Sequence, residues 1–142
     1  MAHAIGTYFS FNDGACEEAL DFYAHVLDGE IGNIMRYGDL PKDVDMGEEM
    51  GTPDPNLIVH AELRVGDSVL MLSDNAMNTT ESGDQVTMNY TGEDENATRR
   101  IWQRFVDAGS EVYMDLTQEF FAPLFGVLVD PYGINWQIMQ SE

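Results

Sequence analysis

The chain has 142 residues, with 26 Asp and Glu against 6 Lys and Arg, and a formal net charge of −20. This length is typical of one domain. The acidity argues against nucleic acids and anionic membrane surfaces as partners, because both attract clustered cations. Hydrophobic residues make up 44% of the sequence, which indicates a folded domain with a core and excludes an acidic disordered tail.

The use of charged residues and cysteine favours a cytoplasmic protein. Lys42 is the only lysine, and few lysines with many carboxylates fit a halophilic source, whose salt screens self-repulsion. An acidic protein from an ordinary cytoplasm is the alternative. The single cysteine, Cys16, excludes an internal disulfide and favours a reducing compartment. A helix start can lower a thiol pKa, but a half-buried structural cysteine is the favoured interpretation. The sequence shows no signal-peptide pattern and no apolar run near the roughly 20 residues that span a bilayer.

The first half of the chain predicts a strand, a helix and three further strands. Asn12-Asp13-Gly14 offers turn and helix-start chemistry after a β-branched and aromatic run, and alternation around Gly66-Asp67 predicts a hairpin. Residues 38–56 predict a long loop, which we expect to be a lid or a contact with a partner chain. The predicted elements are a strand at 4–11, a helix that ends at Gly29, and strands at 31–37, 57–65 and 68–74.

The second half predicts the same order of elements. These are a strand at 85–91, a helix at 93–108, and strands near 111–114, 124–129 and 134–140. The two halves superpose without a gap at an offset of 80 residues, which matches Thr7 with Thr87 and Phe22 with Trp102. The repeat predicts two βαβββ modules, about residues 1–76 and 84–142, within one domain over 1–142.

Short motifs spread along the whole chain point to a known family. They are Phe11-Asn12, Cys16-Glu17-Glu18-Ala19-Leu20-Asp21-Phe22-Tyr23, Met35-Arg36-Tyr37-Gly38-Asp39, His60-Ala61-Glu62-Leu63, Phe125-Gly126 and Asp130-Pro131-Tyr132-Gly133-Ile134-Asn135-Trp136. With these motifs the chain resembles the PhnB-like branch of the glyoxalase/bleomycin resistance/dioxygenase (vicinal oxygen chelate) superfamily. The resemblance implies an α+β fold in which each module is a curved mixed sheet covered by a helix and the two modules form a cleft. It also implies a homodimer.

The resemblance further implies where a metal ion would bind. Superfamily enzymes usually hold a divalent metal with four side chains, one from each of two strands per module, typically His, Glu or Gln. Here the resemblance places these positions at Thr7 or Tyr8, Met71, Thr87 and Gln137. The internal repeat favours Thr7, whereas burial of Phe9 and Phe11 under the helix favours Tyr8. Threonine, tyrosine and methionine are poor ligands for such a cation, so we predict no cofactor, with a divalent metal as the alternative.

The hairpin register points to a titratable pair beside these positions. Closing on Gly66-Asp67 pairs Glu62 with Met71, so alternation places His60 and Glu62 on the same face as Met71. His60 and Glu62 are therefore candidates for acid–base catalysis. Together with Gln137 they are also candidate ligands for zinc or nickel. The alternative is that the pair only stabilises a half-polar sheet face.

Aromatic, cationic and polar residues complete the candidate site. Phe121 and Phe125 would form an apolar wall of the cleft. Arg36 would meet a carboxylate or phosphonate of a ligand, although pairing with a local carboxylate is the more common role. The candidate binding residues are Thr7, Tyr8, Arg36, Met71, Ser73, Thr87, Phe121, Phe125 and Gln137.

The sequence thus predicts a protein that binds a small molecule in the cleft of a homodimer, without the usual metal quartet. One alternative is a metal-dependent lyase or dioxygenase with a rearranged ligand set. Another is a non-catalytic sequestering protein like the bleomycin-resistance relatives. Members of the branch are often labelled 3-demethylubiquinone methyltransferases, but the sequence has no Gly-rich loop between a strand and a helix to hold a nucleotide-type cofactor. The sequence leaves open whether the protein is an enzyme and what its substrate is.

Overall fold

The computed structural model of the protein describes residues 4–41 and 51–141. The chain divides into two compact units, Met1–Thr80 (unit 1) and Glu81–Glu142 (unit 2). Each unit contains a strand, a helix and three further strands, in that order. The predicted α+β fold of two βαβββ modules is therefore confirmed. The organisation of the chain as one domain with a cleft stays a prediction.

The helices and strands lie close to the predicted ranges. They are β1 (Thr7–Phe11), α1 (Cys16–Val26), β2 (Glu30–Arg36), β3 (Ile58–Val65), β4 (Ser68–Asp74), β5 (Met88–Gly92), α2 (Glu95–Asp107), β6 (Glu111–Glu119), β7 (Ala122–Val129) and β8 (Asn135–Gln140). A single 3₁₀ turn, Tyr37–Asp39, follows β2 and begins the predicted loop at 38–56. Residues 42–50 of that loop lie outside the described residues.

Each unit contains one mixed four-stranded sheet with the same topology. The strand order is β1-β4-β3-β2 in unit 1 and β5-β8-β7-β6 in unit 2. The first strand of each unit runs parallel to the last one, and the other neighbours are antiparallel. Strands β2 and β6 are therefore sheet edges in equivalent positions.

In unit 1, helix α1 packs on one face of the sheet. Phe9 and Phe11 of β1 point to that face, and the ring centroid of Phe9 lies 5.5 Å from that of Tyr23 on α1. Tyr23 is completely buried. Burial of one such large side chain stabilises the fold by about 1.5–3 kcal/mol. The alternation along β1 thus fixes which side of the sheet the helix covers.

In unit 2, helix α2 packs closely on the sheet at two glycines. Its N-cap residue, Asp94, accepts a hydrogen bond from the Ala97 N–H at 2.8 Å. A Cβ atom at Gly92 would lie 2.2 Å from Thr98 Oγ1, and one at Gly126 would lie 2.7 Å from the Trp102 ring. Glycine at these two strand positions therefore allows α2 to approach both β5 and β7.

Three elements differ most from their predicted ranges. Strand β1 begins at Thr7 and not at residue 4. Strand β6 continues to Glu119, and Phe120-Phe121 form the turn between β6 and β7. Strand β5 begins at Met88, so Thr87 precedes it. Over the described residues, neither helix is both long and apolar enough to cross a membrane.

Candidate functional site

The face of each sheet opposite its helix, which we call the distal face, carries most of the predicted site residues. In unit 1, Tyr8 pairs with Met71, and Met71 pairs with Glu62. These three side chains form one row across β1, β4 and β3, on the face opposite Phe9 and Phe11. The predicted pairing of Glu62 with Met71 is confirmed. Ser10 and Ser73 form a neighbouring pair on the same face, where Ser73 is buried.

The structure resolves which residue of β1 lies beside Met71. Tyr8 is its register partner and is 48% exposed, whereas Thr7 pairs with Leu70 and shares the helix side with Phe9. The expectation based on burial of Phe9 and Phe11 therefore holds, and the one based on the internal repeat does not. A role for Thr7 in ligand binding stays a prediction.

His60 and Glu62 form the predicted pair. Nε2 of His60 lies 3.2 Å from Oε1 of Glu62, and both side chains are partly exposed, at 29% and 45%. The Tyr8 ring centroid lies 5.9 Å from that of His60. A titratable pair and a phenol therefore occupy one patch of the distal face of unit 1.

A β-bulge in β3 positions this patch. Met35 pairs with His60 and Arg36 with Ile58, so Val59 is the extra residue. The bulge interrupts the alternation at the start of β3, because Ile58 is fully buried and Val59 is not. The Tyr8 hydroxyl donates to the Val59 carbonyl at 3.2 Å. The irregular strand thus holds the phenol beside His60.

In unit 2, the residue beside Gln137 is Asn89 and not Thr87. Asn89 is the register partner of Gln137, and Gln137 Nε2 donates to Asn89 Oδ1 at 2.8 Å. The expected position of Thr87 is therefore wrong by two residues along the chain. Thr87 lies before β5, and a role for it in ligand binding stays a prediction.

An aromatic row lies next to this amide pair on the distal face of unit 2. Phe125 pairs with Met139, and Met139 pairs with Thr91. The Phe121 ring centroid lies 4.9 Å from that of Phe125, at 79° to it. Phe121 and Phe125 are thus brought together as predicted candidates for an apolar wall. Thr91 also accepts a hydrogen bond from Asn89 Nδ2 at 2.8 Å.

Arg36 lies on the helix side of unit 1. Its guanidinium donates to the Glu17 carboxylate on α1 and to the Asn56 carbonyl, the latter at 2.8 Å. The hydrogen bond to Glu17 raises the pKa of Arg36. Arg36 therefore has the local pairing that we gave as its more common role, and anion binding by it stays a prediction.

The Cys16 thiol is buried and its pKa is raised, whereas a reactive thiol is accessible and has a lowered pKa. Its side chain is completely buried at the start of α1, and burial, with a smaller contribution from the nearby Asp74 carboxylate, raises its pKa from 9.0 to about 12. Desolvation of the thiolate outweighs the favourable effect of the helix N-terminus. Cys16 is a core residue.

Asn89 and Thr91 are the site residues that we did not propose from the sequence. A signal for Asn89 was present: matching the aromatic residues Phe9 and Tyr90, instead of Thr7 and Thr87, shifts the repeat to an offset of 81. At that offset Asn89 is the residue of the second half that is equivalent to Tyr8 in the first half. Within residues 4–41 and 51–141, no three His, Cys, Asp or Glu side chains are grouped so that they could hold a metal ion.

Comparison with known proteins places this fold and these motifs in one family. The family described as 3-demethylubiquinone-9 3-methyltransferase matches residues 3–139. Protein YjdN of Escherichia coli (strain K12) is 27% identical over 139 residues, which cover 94% of this chain and 92% of YjdN.

Two solved structures show the same fold. A PhnB protein from Bacillus cereus has a TM-score of 0.77 at 24% identity, over 98% of this chain and 100% of its own. A glyoxylase/bleomycin resistance protein/dioxygenase domain from Frankia sp. EAN1pec has a TM-score of 0.70 at 12% identity, over 100% of this chain and 93% of its own. Because the family match spans nearly the whole chain, the protein belongs to the 3-demethylubiquinone-9 3-methyltransferase family, and it shares its fold with the PhnB protein and with the glyoxylase/bleomycin resistance/dioxygenase domain.

Proposed function

We propose that the protein binds a small molecule on the distal faces of its sheets and does so without the four-ligand metal site of superfamily enzymes. The observation that carries this proposal is the register of the two parallel strand pairs. It places Tyr8 beside Met71 in unit 1 and Asn89 beside Gln137 in unit 2. These are the strand pairs from which the superfamily takes its metal ligands.

The chemistry of these four side chains does not fit a divalent metal ion. Tyrosine is not among the side chains that such ions prefer, a methionine thioether suits soft ions such as Cu(I), and two neutral carboxamides contribute no charge. Gln137 and Asn89 are also hydrogen-bonded to each other, which leaves fewer of their polar groups for a metal ion. The same groups suit an organic ligand, to which they offer hydrogen bonds and apolar contact.

A catalytic role for His60 and Glu62 is the second candidate, and their 3.2 Å contact favours it. With the Nε2–H of His60 donated to Glu62, Nδ1 carries the lone pair that can accept a proton from a bound ligand. Glu62 would orient the ring and stabilise its charged form. This pair would give the protein acid–base chemistry in addition to binding.

The rearranged metal site is a weaker candidate. It would take His60 and Glu62 from unit 1 and Gln137 from unit 2. The contact that His60 and Glu62 already form engages Nε2 of His60 and Oε1 of Glu62 without a metal.

Methyl transfer is not part of the proposal, although the family description names it. A nucleotide-type methyl donor needs a Gly-rich loop between a strand and a helix. Here residues 12–15 join β1 to α1, and residues 93–94 join β5 to α2. Asn12 of the first connection binds the backbone of Thr80 through both its amide nitrogen and its oxygen, at 2.8 and 3.0 Å. Both connections are short, and neither is a Gly-rich loop of the kind that such a donor needs.

A homodimer is also part of the proposal. Strand β6, at the edge of the unit 2 sheet, exposes Tyr113, Met114 and the adjoining Phe120. Exposed apolar residues on an edge strand are usually covered by a partner. Sedimentation velocity should show a dimer that Tyr113→Glu weakens, whereas a monomer at every concentration would contradict this part of the proposal.

Ligand binding is tested by two-dimensional ¹H–¹⁵N NMR with a fragment library of neutral, anionic, cationic and apolar compounds. We expect saturable shifts of the amides of Tyr8, Met71, Asn89 and Gln137. His60→Ala should remove turnover of any identified substrate but keep binding if the pair is catalytic. His25→Ala is the matched control, because His25 is an exposed histidine on α1, away from the distal face. A library that leaves the distal-face amides unmoved would contradict the proposal.

Calorimetry with zinc, nickel and manganese tests the absence of the metal quartet. We expect no stoichiometric binding at millimolar metal. A one-to-one site that disappears in both His60→Ala and Glu62→Gln would overturn the metal-free proposal and support the rearranged ligand set.

A further inference from the structure

The distal face of unit 2 holds two parallel rows of side chains with different chemistry. The amide row contains Val127, Gln137 and Asn89, and the aromatic row contains Phe125, Met139 and Thr91. The rows are two residues apart along each strand, which is about 7 Å. This spacing is about the length of a two-ring aromatic molecule.

The amide row has hydrogen-bonding capacity left over. A carboxamide carries two N–H donors and an oxygen with two lone pairs. Gln137 donates one N–H to the side-chain oxygen of Asn89. Asn89 in turn donates one N–H to the Thr91 hydroxyl. These internal bonds fix the orientation of both amides. Gln137 can therefore present its oxygen and a second N–H side by side to a ligand.

The aromatic row offers a surface for a flat ring. The half-buried Phe125 is held by the T-shaped contact of Phe121, with ring centroids 4.9 Å apart. Met139, between Phe125 and Thr91 in the register, adds a polarisable thioether that packs well against rings. A ring that lies over this row would direct its edge toward the carboxamide of Gln137.

The six side chains of the two rows carry no formal charge. An ion placed against them would lose hydration without gaining a counter-charge. The net charge of −20 also repels anions before they bind. The face therefore favours neutral ligands.

We infer that unit 2 recognises neutral, planar, two-ring heteroaromatic compounds with a lactam-type edge, in which an N–H donor lies next to a carbonyl acceptor. The lactam edge pairs with the carboxamide of Gln137, held by Asn89, and the second ring stacks on Phe125 and Met139. This inference rests on the proposed function and names its ligand class.

The test compares three probes by the same NMR titration: 2-quinolinone, N-methyl-2-quinolinone and quinoline-2-carboxylate. The N-methyl compound lacks the donor and should bind about tenfold more weakly, as should the carboxylate. Gln137→Leu should remove the difference between the first two probes. Phe125→Leu should weaken both of them by a similar factor, and Gln140→Leu, on the same strand, should change neither.

The comparison of the three probes uses only the natural sequence, so its outcome does not depend on whether any variant folds. Equal binding of 2-quinolinone and its N-methyl derivative, or tighter binding of the carboxylate, would overturn the inference. Failure of all three probes would also overturn it. The proposed function would survive that failure if other fragments still moved the distal-face amides, and would fall with it if none did.

Discussion

The carboxylate of Asp74 connects three segments of unit 1. It is 6% exposed, and its oxygens accept hydrogen bonds from the Cys16 N–H at 2.9 Å and the Ile58 N–H at 2.8 Å. The residue at the N-cap of α1, Ala15, has no side-chain acceptor. Asp74, at the end of β4, therefore caps α1 from a distant part of the sequence and also holds the start of β3.

Replacement of Asp74 by Asn should destabilise the protein. An amide can accept only one of the two N–H bonds, and its own NH₂ group would face the other donor. The expected loss is about 1–3 kcal/mol of unfolding free energy, measured by urea denaturation. Opening at the start of α1 should also make the buried Cys16 thiol accessible to an alkylating reagent.

Asp21→Asn is the matched control for Asp74→Asn, because Asp21 is an exposed carboxylate on α1. It removes the same charge without removing a buried acceptor. Equal unfolding free energies for the two variants would show that the charge of Asp74, and not its hydrogen bonds, determines the effect.

Residues that carry the family resemblance serve the fold as well. Asp130, in the turn before β8, accepts hydrogen bonds from the Tyr132 and Ile134 N–H groups and from the Trp136 indole at 2.9 Å. Asn12 ties the β1–α1 connection to Thr80. The motifs that contain Asn12 and Asp130 therefore carry the family resemblance through residues that hold turns.

At the scale of elements, close packing of α2 on its sheet depends on Gly126. A methyl group there would lie 2.7–2.8 Å from the outer atoms of the Trp102 ring and 3.1 Å from the Leu116 Cα. Gly126→Ala should therefore destabilise unit 2 by about 1–3 kcal/mol, because the helix or the indole must shift. Urea denaturation followed by tryptophan fluorescence measures the loss.

A second substitution tests whether Gly126→Ala acts through the clash with Trp102 or through a general effect of replacing glycine by alanine. Trp102→Phe removes the ring atoms that the new methyl group would meet, so Gly126→Ala should cost less in that background. Gly83→Ala, where a Cβ would meet nothing within 4 Å, should be nearly neutral. Simple additivity of Gly126→Ala and Trp102→Phe would contradict the packing explanation.

The order of elements was predictable from the sequence because hydrophobic periodicity reflects burial directly. The register of β5 was not, because the gapless repeat was set by helix residues such as Phe22 and Trp102. Four residues, 12–15, join β1 to α1, whereas two, 93–94, join β5 to α2. The offset of 80 that aligns the helices is therefore one residue too short for strands β1 and β5, which align at 81. An error of one residue in the alignment of a strand exchanges its two faces.

The bulge at Val59 and the turn at Phe120-Phe121 were hidden for a similar reason. A bulge inserts one residue without a distinctive composition, and aromatic residues normally favour strands over turns. Both features depend on the neighbouring strand, β2 for the bulge and β7 for the turn. The pair His60–Glu62 was predictable because its register follows from the nearby hairpin turn alone.

For the whole molecule, the charge lies at the surface. Among the Asp and Glu residues of 4–41 and 51–141, Asp74 and Asp130 are the buried ones, and both are hydrogen-bonded. The distal-face rows of unit 2 are uncharged. The net charge of −20 therefore concerns the solvation and self-repulsion of the molecule more than its site.

Adaptation to a salt-rich cytoplasm predicts that salt stabilises the protein. Screening shortens the range of repulsion from about 10 Å at 0.1 M salt to about 3 Å at 1 M. The midpoint of thermal unfolding should rise by about 5 °C between low salt and molar KCl, or about 1–2 kcal/mol for a chain of this length. Differential scanning calorimetry across a KCl series measures this change.

A charge-reduced variant tests whether repulsion is the cause. Six exposed carboxylates can be neutralised without touching a buried group: Glu18→Gln, Asp21→Asn, Asp67→Asn, Asp84→Asn, Glu111→Gln and Asp115→Asn. The formal net charge changes from −20 to −14, since six negative charges are removed. The variant should be more stable at low salt and gain less from KCl, because repulsion grows steeply with net charge. If the unfolding midpoint of the natural sequence did not rise with KCl, or if both proteins gained equally, then its carboxylates would not be an adaptation to salt.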